Sequence, residues 1–127
     1  MNNDGFDSAD KVAQWLTNNN IQFTREQTFV GLMGDYEMLR MDLWLPEFYT
    51  CNEVDGQQHY QARRNDSIAD FLRKRDYGRR KEFYCLQHGI RLIRIVWDEL
   101  EYLDRTLGFL LVERQTNSPW YKGSKNS

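Results

Sequence analysis

Leu39-Arg40-Met41-Asp42-Leu43-Trp44-Leu45, closed by Pro46, alternates apolar and polar residues with a period of two. That period belongs to a β-strand. Leu39, Met41, Leu43 and Leu45 take one face, and Arg40, Asp42 and Trp44 take the other. Proline cannot donate to a ladder, so Pro46 ends the strand. Thr50-Cys51-Asn52-Glu53-Val54-Asp55 follows as a second strand, with Cys51, Glu53 and Asp55 on one face. Joined by a tight connection at Glu47-Phe48, the two strands form a hairpin that sets Asp42 opposite Glu53 and Arg40 opposite Asp55, all four on one side.

Upstream, Ser8 to Asn19 carries Val12, Trp15 and Leu16 at helical spacing before a run of asparagines, and Ile21 to Phe29 reads as extended. Downstream, Gly56 breaks the second strand and opens a polar loop. A long helix begins at Asp66 or Ser67, where Ser67 and Asp70 match a capping box, and runs to His88 before Gly89. Arg91 to Trp97 is a further strand. A last helix opens at Asp98, with Glu101 as its capping-box partner and Leu100, Leu103, Leu107 and Leu110 as its buried stripe. The order helix, strand, hairpin, long helix, strand, helix predicts an α/β domain with helices packed on a small central mixed sheet. Residues 1–114 are expected to form a single domain and 115–127 a polar C-terminal tail.

The 127 residues suit one domain, and 40% hydrophobic with 14% aromatic content can build a core. No apolar run reaches the roughly 20 residues a membrane span needs, and the first residues lack a secretion signal, so a soluble, non-secreted protein without a membrane partner is expected. Cys51 and Cys85 have no metal or disulfide spacing and read as reduced, buried thiols. The net charge of −2 argues against a protein that coats nucleic acid. The charge is uneven, however. Residues 63–81 hold eight basic residues (Arg63, Arg64, Arg73, Lys74, Arg75, Arg79, Arg80, Lys81) against Asp66, Asp70 and Asp76. That local balance of +5 leaves −7 for the rest. One basic segment on an acidic body fits a polyanion met on one face, or simply a solvated helix face.

Two carboxylates directly opposite each other repel. A hard divalent cation held by Asp42 and Glu53 would offset that cost, since Mg²⁺ prefers carboxylate oxygens and retains several waters. The alternative is that both acids are merely solvated. His59 follows the strand end closely enough to fold back as a proton acceptor, or it is an exposed loop residue. Asp76 lies on a stripe with Ile68, Leu72 and Phe83, which predicts an inward-facing carboxylate paired either with His59 or with an arginine such as Arg94. Arg73, Lys74, Arg80 and Lys81 lie near it on the same helix, where they could reach phosphates.

The runs Arg40–Pro46, Asn52-Glu53-Val54-Asp55-Gly56-Gln57-Gln58-His59-Tyr60, Arg75–Tyr84 and Gly89–Ile95, with Arg25–Phe29 upstream, resemble the PD-(D/E)XK nuclease superfamily. The branch they resemble is that of the very-short-patch-repair mismatch endonuclease and phage homing-type endonucleases. The resemblance covers roughly residues 21 to 100. It implies a restriction-endonuclease-like fold and Mg²⁺- or Mn²⁺-dependent hydrolysis of DNA phosphodiester bonds. It further implies that Asp42 and Glu53 bind metal, that His59 is the general base, and that Asp76 and Glu26 are outer acidic site residues. Arg63, Arg64, Arg73, Lys74, Arg80 and Lys81 are the expected DNA contacts. The company this family keeps points to the cytoplasm of a bacterium or a phage-infected host. One departure stands out: the family's lysine two positions after the second acid is Asp55 here. The competing expectation is therefore an inactive nucleic-acid-binding module on the same fold. With one site per domain, cutting both strands needs a homodimer or two visits.

Overall fold

A computed structural model describes residues 7–55 and 67–113, apart from the side chains of 110, 112 and 113. His59, Arg63, Arg64 and the expected 115–127 tail lie outside the described residues. The chain begins with α1 (Ser8–Asn18), and Asp7 and Asp10 cap it by accepting each other's backbone N–H. Next come β1 (Thr24–Met33) and β2 (Met38–Leu45), then a single 3₁₀ turn (Pro46–Phe48) and β3 (Thr50–Asp55). The helix α2 (Ile68–His88) leads to β4 (Arg91–Val96), a 3₁₀ segment (Trp97–Tyr102) and a C-terminal π-helix (Asp104–Glu113).

The four strands form one mixed sheet in the order β1-β2-β3-β4. The pairs β1/β2 and β2/β3 are antiparallel, while β3/β4 is parallel, with α2 as the crossover between them. The β2/β3 register is the one expected from a tight connection at Glu47-Phe48: Leu43 pairs with Asn52, Trp44 with Cys51 and Leu45 with Thr50. Tyr49, at φ +50, makes the sharp return after the 3₁₀ turn. The β1/β2 register slips between Thr28 and Met33. There Gly31 adopts φ +93, and the Tyr84 hydroxyl donates to the Val30 carbonyl at 2.8 Å.

Two cores flank the sheet. On one side Val12, Ala13 and Leu16 of α1 pack with Leu43, Leu45, Val54, Ile93, Ile95 and with Leu103, Leu107 and Leu111 of the C-terminal helix. On the other, Cys85 of α2 packs with Leu32, Leu39, Met41, Cys51, Ile90 and Leu92, with Phe29, Trp44, Tyr77 and Tyr84 against them. All four alternating β2 residues are buried, but they divide between the cores, and the division falls at Asp42.

Three sequence expectations are corrected. The last helical segment starts one residue early, and Glu99 rather than Glu101 reaches back to accept the Val96 N–H at 2.9 Å. Of the expected stripe, Leu103 and Leu107 are buried and Leu100 packs against the same core; Leu111 is buried too, and the Leu110 side chain lies outside the described residues. The stripe Ile68, Leu72, Asp76 and Phe83 points to solvent: these apolar residues are 76%, 51% and 61% exposed. The helix instead turns Tyr77, Lys81, Tyr84 and Cys85 to the sheet, because the sheet face beneath it carries polar groups as well as apolar ones.

Candidate active site

The site begins where the β2/β3 backbone ladder stops. The last paired residues are Leu43 and Asn52. One step further, side chains replace the backbone partners. The Asp42 N–H donates to Glu53 Oε2 at 2.8 Å, and the Val54 N–H donates to Asp42 Oδ2 at 2.8 Å. Each acid therefore clasps the opposite strand, and the two carboxylates are held side by side. Glu53 is 6% exposed and Asp42 half-buried.

The second oxygen of Glu53 is met from above. Lys81 on α2 donates its Nζ to Glu53 Oε1 at 2.8 Å, with side-chain exposures of 15% and 8%. A buried carboxylate needs a partner of this kind. Its ammonium is the feature that the strand itself lacks at Asp55. Burial, together with the Glu53 charge, pushes the Asp42 carboxyl up to about 6; the Val54 N–H and Lys81 pull it back, and Glu26 adds to the rise. Asp42 is thus ionised at neutral pH, at a cost that a cation beside it would relieve.

The sheet extends the row on both sides. Arg25 pairs with Leu43 and Gln27 with Met41, which brings Glu26 across from Asp42. Glu26 is exposed and sits at φ +56, a left-handed conformation that costs about 1–3 kcal/mol for a residue with a side chain. On the other side Glu53 pairs with Arg94. Arg94 donates to the Gly78 carbonyl at 2.8 Å and to Glu82 Oε2 at 3.2 Å, and lies 3.9 Å from Asp55 Oδ1. The guanidinium so ties β4 to the α2 turn that carries Lys81. Asp55 was expected opposite Arg40; the paired register ends at Leu43 and Asn52, before that step, and Arg94 Nη1 lies 3.9 Å from Asp55 Oδ1.

Asp76 does not belong to the site. Its side chain is 53% exposed and pairs with Arg80 at 2.8 Å, since it lies on the outer face of α2. The expected DNA contacts separate into distinct roles. Arg80 binds Asp35 at 3.0 Å and the Met33 carbonyl at 3.1 Å, and lies over the Tyr77 ring. Arg73 binds Asp70 at 2.9 Å and approaches Asp35 at 3.7 Å. Both arginines thereby pin the β1–β2 turn to α2, and the Tyr77 hydroxyl accepts the Asp35 N–H at 2.8 Å. Lys74 is exposed, and Lys81 is committed to Glu53.

Sequence reasoning missed three features. Lys81 was read as a phosphate contact rather than the partner of Glu53. Cys51 and Cys85 are free and buried as expected, but their adjacency was not foreseen: a hydrogen bond to Cys85, then burial, pushes the Cys51 thiol up, while the same contact lowers that of Cys85. Asn52 is fully buried with neither side-chain polar atom partnered, and nothing in its sequence context signals this.

Among the described residues no third His, Cys, Asp or Glu joins the pair in a ready-made metal cage. Two carboxylates with waters are nonetheless a sufficient oxygen set for Mg²⁺, which is ordinarily held by one or two carboxylates. Burial first and the Glu53 charge second raise the Asp42 carboxyl, and a cation beside it would act against the second of these. No family model matches this chain, and no curated protein or solved structure matches it.

Proposed function

We propose that the protein is a Mg²⁺- or Mn²⁺-dependent DNA endonuclease with a restriction-endonuclease-like site built on Asp42, Glu53 and Lys81. The observation that carries this reading is the Lys81 ammonium 2.8 Å from Glu53, whose other oxygen accepts the Asp42 N–H. Two acids and an ammonium on one sheet face, held by backbone hydrogen bonds, are the group types that metal-assisted phosphodiester hydrolysis uses. Asp42 and Glu53 would hold the ion, which supplies a polarised water and charge neutralisation on the phosphate.

The chain's own groups have separable tasks. Clasping by the two backbone N–H groups fixes both carboxylates before any ligand arrives, so little reorganisation is needed during reaction. Lys81 balances the charge of Glu53 and stands where it can donate to an anionic oxygen brought to that acid. Arg94 holds the Gly78–Glu82 turn of α2, and through it Lys81. His59 is proposed as the proton acceptor on the residue pattern alone.

A second reading, an inactive nucleic-acid-binding module, draws support from one feature: both Glu53 oxygens are already engaged. A supercoiled-plasmid nicking assay separates the two. Wild type with Mg²⁺ or Mn²⁺ is expected to produce open-circular DNA, while EDTA, His59→Ala and Lys81→Met abolish it. Folded wild type that cuts no plain, mismatched or branched DNA would leave only the binding reading.

A further inference from the structure

The outer face of α2 carries an exposed apolar stripe. Ile68, Leu72, Phe83 and Leu86 are 76%, 51%, 61% and 63% exposed. At about 100° per residue they fall within a narrow arc of roughly 60°, on the side of the helix away from Lys81. Single exposed apolar residues mean little, but four on one stripe of one helix form a patch. Its middle is polar, with Asp76 and Arg79 between the two apolar ends. Asp76 is paired only within its own helix, to Arg80, and Arg79 is exposed with no ion pair or hydrogen bond among the described residues.

We infer that this stripe is a self-association surface, on which two copies of the chain pair α2 against α2 in antiparallel fashion. The stripe is self-complementary under a twofold axis. With that axis between Tyr77 and Gly78, Leu72 faces Phe83 of the second copy, Ile68 faces the turn of Leu86 and Gln87, and Asp76 faces Arg79. Each contact occurs twice. A parallel pairing would set Arg79 on Arg79 and is disfavoured by like-charge repulsion. The helix has 21 residues, which at 1.5 Å per residue is about 31 Å of contact length. A stable interface takes about 800 Å² from each partner, so the flanking arginines and Glu82 must join the four apolar side chains.

This surface is independent of the nuclease reading. Lys81 and the acids lie on the opposite side of α2, so pairing leaves them uncovered.

Sedimentation velocity on the full chain from about 1 to 100 µM tests the inference. The expected result is a mass rising with concentration from 15.3 kDa towards twice that value. Phe83→Glu should hold the protein at the monomer mass with an unchanged circular dichroism spectrum. Asp76→Arg and Arg79→Glu should each weaken association about tenfold, and their combination should restore it. Restoration shows that the two residues meet across the interface. A wild type that stays monomeric throughout overturns the inference, as does a Phe83→Glu variant that associates like wild type. Monomeric wild type whose DNA affinity falls on Arg79→Glu would overturn it too, and would assign the stripe to nucleic acid.

Discussion

Asp42, a metal ligand in the proposed function, carries a stability cost that depends on pH. Its carboxyl is raised from 3.8 to about 6, first by burial and then by Glu53. A raised carboxylate binds its proton more tightly in the folded state. Its contribution to stability is thus greatest at low pH and falls as pH rises from about 4 to about 6. Asp42→Asn removes that penalty, while the amide oxygen can still accept the Val54 N–H. Chemical denaturation should show the variant about 2 kcal/mol more stable than wild type at pH 7.5, with the gain fading towards pH 4. Lys81 should behave in the opposite sense. Lys81→Met leaves Glu53 buried and unpaired, a loss of about 3 kcal/mol. Adding Glu53→Gln should recover most of it, and a double-mutant cycle by urea denaturation reads the coupling directly. Additive losses would show that the two groups are independent.

At the scale of elements, the question is what keeps α2 over the sheet. The helix buries only Cys85 completely, so polar ties carry much of the docking. Arg94 reaches two points on α2, while Arg80 and Tyr77 grip the β1–β2 turn. Hydrogen bonds to charged groups contribute about 1.5–3 kcal/mol each. Arg94→Met should cost about 2 kcal/mol, and hydrogen exchange should show the loss concentrated in α2 amides. Uniform loosening of the whole sheet would mean that Arg94 acts as a general core residue. The element scale also shows what the sequence made legible. The tight connection at Glu47-Phe48 gave the hairpin register correctly, because in a hairpin the loop length sets which residues pair. Ser67 and Gly89 marked both ends of α2 for equally local reasons. The inward face of α2 was not legible. Its apolar residues lie on the outer side, so reading the apolar stripe as buried rotated the helix by about half a turn and put Asp76 inside.

For the whole molecule, a four-stranded mixed sheet carries α1 and the C-terminal helix on one face and α2 on the other. Among the described residues no helix is long and apolar enough to cross a membrane. The parallel β3–α2–β4 crossover brings Lys81 back onto Glu53 across 28 positions of sequence. Local pattern shows the two acids but not the ammonium, because the latter depends on how a separate element docks. Asp55 stands two positions after Glu53, and the ammonium beside Glu53 comes instead from Lys81 on α2. The proposed function requires that Asp42 and Glu53 be kept in an unfavourable juxtaposition for catalysis, not for stability. The most direct test measures stability and Mg²⁺-dependent plasmid nicking together for wild type and Asp42→Asn. The variant is expected to be more stable yet to nick at least about 100-fold more slowly. A variant that loses stability, or one that nicks as fast as wild type, would contradict it.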